Sequence, residues 1–128
     1  MVEKPSVRVA SYLSPPDMHR LNWACRPVRY AFDATPYLVG SVLLRPDFRD
    51  IDVRLILADD VVDRMFGHGA RRDPNEPPEA VRLLLNVALS DLIARAANLP
   101  WPIDFQIQSM TEANVPEHGP RNPLGAWR

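Results

Sequence analysis

The stretch Pro36-Tyr37-Leu38-Val39-Gly40-Ser41-Val42-Leu43-Leu44-Arg45-Pro46-Asp47-Phe48-Arg49-Asp50-Ile51-Asp52-Val53-Arg54-Leu55-Ile56-Leu57 decides how this chain is read. It divides into an apolar strand, a Gly-Ser turn, a short arginine-bearing connection and a second strand that carries two aspartates. Side chains two apart on a strand share a face. Asp50 and Asp52 therefore project together, while Ile51 and Val53 point the other way, into a core. Two carboxylates on one face repel each other and lose hydration, so such a pair calls for a shared cation. A Gly-Ser turn that opens a helix offers backbone N–H groups to a phosphate. Together the two halves describe a site for a metal-bound nucleotide.

Val39-Gly40-Ser41 followed by Asp50-Ile51-Asp52-Val53 resembles the signature of the nucleotidyltransferase superfamily, the polymerase-β-like fold. That signature is a hydrophobic residue, Gly, then Gly or Ser, and after a connection Asp-hydrophobic-Asp/Glu-hydrophobic. The connection here, Val42 to Arg49, is slightly shorter than the family usually has, and Pro46 lies within it. The phosphate-binding helix is therefore expected to be very short. The family also carries a third acidic residue on a later strand. Ile103-Asp104-Phe105-Gln106-Ile107-Gln108 fits that place, with Asp104, Gln106 and Gln108 on one face. Taken singly, Gly-Ser is an ordinary turn, Asp-x-Asp a solvated strand face and Asp104 any exposed strand aspartate. Their joint order and spacing carry the resemblance, which spans residues 36–109.

The resemblance implies a metal-dependent transfer of a nucleoside monophosphate from an NTP to an acceptor hydroxyl, with release of pyrophosphate. Asp50, Asp52 and Asp104 would be the catalytic acids and the ligands of Mg²⁺ (or Mn²⁺). Two such ions about 3.5–4 Å apart clamp the attacking and leaving oxygens in chemistry of this kind. Asp104 would also accept the proton of the attacking hydroxyl. Gly40 and Ser41 would hold the β- and γ-phosphates, because glycine lets backbone approach closely and the hydroxyl adds a donor. Arg45 and Arg49, on the connection, would neutralise the triphosphate. Arg54, two residues beyond Asp52, shares its face and is either a further nucleotide contact or an internal counter-ion of the acids.

At 128 residues the chain is expected to form one domain, with a core at 36–109 and an irregular tail at 110–128. The fold class expected is α/β (α+β): a small mixed β-sheet with helices packed against it. A net charge of −1 supplies no general attraction to nucleic acid or anionic membrane. Lys4 is the only lysine and the other fourteen basic residues are arginines, a bias that a GC-rich coding sequence explains. Cys25 is alone, which excludes an internal disulfide and a cysteine-based zinc site. Met1 to Ser6 lacks the apolar run of a signal peptide and no segment reaches transmembrane length, so a cytoplasmic protein is expected.

Outside the opening stretch, Val7 to Leu13 reads as an edge strand or ordered extension. Ser14-Pro15-Pro16-Asp17 starts a helix that runs to about Ala24, and Pro27 starts a second to about Ala34. Asp59-Asp60 leads into a short helix through Phe66. Gly67 to Pro78 is a polar loop, a candidate lid whose Arg71-Arg72 would meet phosphate oxygens. Glu79 to Asn98 is the strongest helix, with Val81, Leu84, Leu85, Val87, Ala88, Leu92 and Ala96 as its apolar period. His19, His68 and His118 have no metal-ligand spacing. Trp101 and Trp127 read as packing residues, and Arg121 as solvated charge or a phosphate contact from the tail.

The acceptor is not legible. The chain is too short to hold a large acceptor-binding domain, which suggests a minimal transferase working with a protein partner or as a homo-oligomer. The main alternative is a nucleotidyltransferase-like module that binds nucleotide or regulates without turnover, and a further one is a scaffold that uses only the fold.

Overall fold

The computed structural model describes residues 10–67, 80–114 and 119–125. Strict alternation makes Ile51–Leu57 (β2) the middle of the sheet: Ile51, Val53, Leu55 and Leu57 are buried, and Asp52, Arg54 and Ile56 lie half-exposed between them. Strand β1 (Pro36–Val39) runs antiparallel to β2 on one side, and β3 (Ile103–Ser109) runs parallel on the other. A two-residue strand, β4 (Asn122–Pro123), adds to the far side of β1. Among the described residues the order is β3-β2-β1-β4, a small mixed sheet of the α+β kind.

Parallel neighbours cannot be joined by a hairpin. The chain leaves β2 through α2 (Asp59–Phe66) and reaches β3 after α3 (Ala80–Ala97). Helix α1 (Pro15–Phe32) joins α3 over the apolar face, where Leu21, Cys25 and Val28 meet the buried side chains of the strands. The opposite face carries Asp52, Arg54, Asp104, Gln106 and Gln108, all partly exposed.

Helix α1 begins as its sequence directs, with Ser14 accepting the Asp17 N–H at 3.3 Å. It does not stop before Pro27, and the two expected helices are one. A proline inside a helix costs about 3 kcal/mol or more. Leu21, Ala24, Cys25 and Val28 form one buried stripe that continues across the proline, whose ring is exposed. Burying each large apolar side chain is worth roughly 1.5–3 kcal/mol, enough to keep the two halves collinear. Asp33, at φ 49°, ends the helix.

The expected apolar period of α3 is corrected in large part. Ile93 and Ala97 are its buried residues and Leu85, as expected, packs against the core, whereas Val81, Leu84, Val87, Ala88, Leu92 and Ala96 are exposed. Beside these, α3 turns a polar row at four-residue spacing toward β3, because β3 is an edge strand with unpaired backbone groups. Ser90 accepts the Phe105 N–H at 2.9 Å and Asn86 accepts the Ile107 N–H at 2.8 Å. Arg82 donates to the Ile107 carbonyl at 3.3 Å and to Glu112, which accepts the Ser109 N–H at 2.9 Å. Among the described residues the edge is closed by side chains rather than by another strand.

The tail is not wholly irregular: α4 (Met110–Asn114) follows β3 directly, and the segment holding β4 is stitched inward. Leu124 N–H donates to the Pro36 carbonyl at 2.8 Å, and Asn22 accepts the Gly125 N–H at 3.2 Å. At the N-terminal end, Ala10–Leu13 forms no strand; Tyr12 N–H donates to Val42 and Leu13 is buried. The rest of the Val7–Leu13 extension, the Gly67–Pro78 lid beyond Gly67, His68, His118 and Trp127 lie outside the described residues.

Because a buried donor left unpaired costs about 1–3 kcal/mol, Asn86→Ala, which strands the Ile107 N–H, should destabilise the fold by that amount. Urea unfolding of the variant against the wild type measures it.

Candidate active site

The parallel ladder sets Asp52 directly opposite Asp104, and the antiparallel ladder sets Asp52 opposite Val39. Neighbouring strands are roughly 4.8 Å apart, so the two carboxylates leave adjacent backbones on one face. Asp50 immediately precedes β2 and is exposed, while the Ile51 N–H after it donates to the Pro102 carbonyl at 2.9 Å. That bond fixes the entry of β2 beside the start of β3. All three acids thus lie at the same end of the β2–β3 pair.

Beyond Val39 the chain turns at Gly40, which has φ 81°, and closes a 3₁₀ turn over Gly40–Leu43. The expected short helix is this single turn, in which Ser41 O accepts from Leu44 and Arg45, each at 2.9 Å. Gly40 is required twice over. Its φ lies where L-residues are strained, and a Cβ there would run into Asp52 Oδ2. The turn and the central acid are therefore in van der Waals contact through a missing side chain.

Ser41, Arg45, Arg49 and Asp50, with Asp47, line one polar recess of about 370 Å³. Arg45 and Arg49 are exposed, and Arg45 lies 3.7 Å from Asp47 in a solvated pair. Arg54 takes a different place. Its guanidinium is largely buried and donates to the Asp104 carbonyl at 2.8 Å, the Val53 carbonyl at 3.0 Å and Asp104 Oδ2 at 3.2 Å. It is the internal counter-ion of the acidic pair. Gln106 adds contacts to both Asp104 oxygens at 3.3–3.4 Å.

The fold disturbs the titration of Asp52. Burial pushes its carboxyl above the ordinary 3.8; Arg54 opposes the shift, and Asp104 and Asp50 add to it. Accumulated negative charge at a partly buried point is the condition a cation relieves. Among the described residues no three His, Cys, Asp or Glu side chains close around one metal position. Magnesium needs no such cage, since one or two carboxylates plus phosphate oxygens and water suffice. An oxygen donor set of Asp50 and Asp52, with Asp104 alongside, fits that requirement.

A second recess, about 360 Å³, opens on the same sheet face from Gly40 along Arg54, Ile56 and Gln108 to Glu112 and Arg121. Arg121 lies over the Tyr37 ring at 5.8 Å and donates to Asn114 at 2.9 Å, away from the Ser41 recess. Sequence reading missed this wall because nothing local marks Pro120-Arg121-Asn122-Pro123 as a strand partner of β1. Trp101 packs on Phe48 at 4.7 Å between ring centres, the structural role expected of it.

Comparison with protein-family models, with curated proteins and with solved structures finds no match. Among the described residues no helix is long and apolar enough to cross a membrane.

A raised folded-state value means that ionised Asp52 is penalised in the native protein at neutral pH. The penalty is relieved as pH falls through that raised value toward 3.8, below which both states are protonated. Asp52→Asn should accordingly melt higher than wild type at pH 7, with the difference shrinking on acidification, as followed by circular dichroism. Gly40→Ala should melt lower, by about 1–2 kcal/mol of backbone strain alone.

Proposed function

We propose that this protein is a metal-dependent nucleotidyltransferase that moves a nucleoside monophosphate from an NTP to an acceptor hydroxyl. The observation that carries the reading is the meeting of Gly40 with Asp52, and of Asp52 with Asp104, across three adjacent strands. Residues twelve and sixty-four positions apart in sequence, Gly40 to Asp52 and Gly40 to Asp104, are drawn into one patch as the resemblance requires.

In this reading the Gly40–Leu43 turn and Ser41 receive the β- and γ-phosphates, and Arg45 and Arg49 neutralise them from the rim of the same recess. Asp50 and Asp52 hold Mg²⁺ or Mn²⁺, with Asp104 beside them. When bound, the ion neutralises charge on the phosphates and the departing pyrophosphate. The acceptor oxygen bonds to the α-phosphorus as the bond to pyrophosphate breaks, and Asp104 takes the hydroxyl proton. Arg54 fixes the Asp104 carboxylate through one oxygen, which sets the direction of the other.

That same ion pair supports the second reading, a nucleotide-binding or regulatory module without turnover. Asp104 already has a full positive partner at 3.2 Å, and an arginine there competes with a second cation. The two readings part experimentally. With α-labelled NTPs, Mg²⁺ or Mn²⁺, and acceptors that include the protein itself, transfer of label is expected. Asp50→Asn and Asp52→Asn should lose Mg·NTP affinity in calorimetry, and Ser41→Ala should lose less. Asp104→Asn should keep most of that affinity and lose transfer by about 10²–10⁴, the usual worth of general-base assistance. Binding without transfer to any acceptor would favour the module, and no Mg·NTP binding by wild type would remove both readings.

A further inference from the structure

The open face of the sheet is acidic where β2 and β3 begin and turns apolar further along. Val39 and Ile56 stand half-exposed on it, and Ala113 and Pro120 join them in lining the second recess, of about 360 Å³. Small-molecule sites run from about 300 to 1,000 Å³. The charged side chains on the wall are already committed. Arg54 is held by Asp104 at 3.2 Å, Glu112 accepts from Arg82 at 2.6 Å, and Arg121 is given to Asn114 and the Tyr37 ring. Gln108 differs. Among the described residues its side-chain amide has no hydrogen-bond partner. Apolar walls with one free amide suit a neutral planar ring with a polar edge, since a charged group there would lose hydration without gaining a partner.

We propose that this recess receives the base of the donor nucleotide and that Gln108 selects adenine, so that ATP is the donor. That placement rests on the transferase reading, which puts the triphosphate in the Ser41 recess and the metal at Asp50 and Asp52. Two observations choose the occupant. Gly40, which abuts Asp52, also lines this recess, so the recess begins where the α-phosphate is held. A base is tethered to that phosphate by one ribose and must lie close by. Gln108 stands four residues beyond Asp104 on β3, about 13 Å at 3.3 Å per residue. A ribose and a two-ring base in series reach that far, and a one-ring base falls short. The edge then decides between purines. A carboxamide sets an acceptor beside a donor. Adenine answers with its N6 donor and N7 acceptor, whereas guanine presents two acceptors, the pattern that arginine or lysine reads.

Calorimetry in Mg²⁺ separates base from phosphates, because inorganic tripolyphosphate carries the phosphate chain alone. The full chain should bind Mg·ATP about tenfold more tightly than Mg·tripolyphosphate, and more tightly than the GTP, CTP and UTP complexes. Gln108→Ala should bring ATP down to the level of GTP, a loss of about tenfold, as expected for one bidentate pair. Ile56→Trp, which fills the recess from β2, should bring ATP down to the level of tripolyphosphate. Both variants should keep the wild-type circular dichroism spectrum and the wild-type affinity for Mg·tripolyphosphate. Three results would overturn the assignment: ATP binding wild type no more tightly than tripolyphosphate, another NTP preferred, or ATP affinity unchanged in both variants. Ile56→Trp that keeps ATP affinity but loses transfer would also overturn it, and would give the recess to the acceptor. Each of these leaves the metal–triphosphate site standing. A wild type that binds neither Mg·tripolyphosphate nor any Mg·NTP would instead remove the transferase reading, and the base site with it.

Discussion

Everything at the candidate site depends on the parallel pairing of β2 with β3. An antiparallel neighbour arriving by a hairpin would start at the Leu57 end and would bring the last residues of β3, not Asp104, beside Asp52. A parallel neighbour arrives by a crossover, so both strands begin at the same end of the sheet. The starts of Ile51–Leu57 and Ile103–Ser109 therefore meet, and each start carries an aspartate at its second position. The crossover helices occupy one face of the sheet. The alternation that buries Val53 and Phe105 against them sends Asp52 and Asp104 to the other.

Having brought like charges together, the fold must make them tolerable. It does so unevenly. Arg54 and Gln106 are both spent on Asp104, through the backbone carbonyl and the carboxylate alike. Asp52 receives the longer-range help of Arg54 against burial and two neighbouring acids, and its carboxyl is displaced upward. The pair is thus differentiated by its surroundings into a fixed carboxylate and an under-compensated one. An under-compensated carboxylate is where an added cation gains most, and that asymmetry ties the electrostatics to the proposed chemistry.

The sequence was readable where one local rule decided the outcome. Period-two alternation located β2 and β3 and assigned their faces; Gly40-Ser41 and Pro46 foretold a single tight turn. The acids were legible as a set, but Arg54 was legible only as one of two roles, because a choice between ligand and counter-ion rests on where β3 lies. Pro27 misled for a similar reason. Its local cost is real, and a buried stripe on both sides of it outweighs that cost. The β4 contact gave no periodic signal, since two residues are too few to show one.

Helix α3 is the most instructive failure: of its expected apolar period Leu85 packs inward, while Val81, Leu84, Val87, Ala88, Leu92 and Ala96 lie on the outer side. In most helices the polar face is the solvent face. Here the sheet edge needs hydrogen-bond partners more than the core needs another row of leucines, since an unpaired backbone group away from water is costly. Arg82, Asn86 and Ser90, four residues apart in an otherwise apolar helix, were the signal that could have shown it. A row of hydrogen-bonding side chains at helical spacing matches alternate backbone groups of an edge strand, whose repeat of roughly 6.6 Å per two residues is close to the helix's ~6 Å per four. Once those residues are committed inward, the surplus of valine and leucine has nowhere to go except outward. The closed edge and the apolar outer face are one consequence of the same sequence choice.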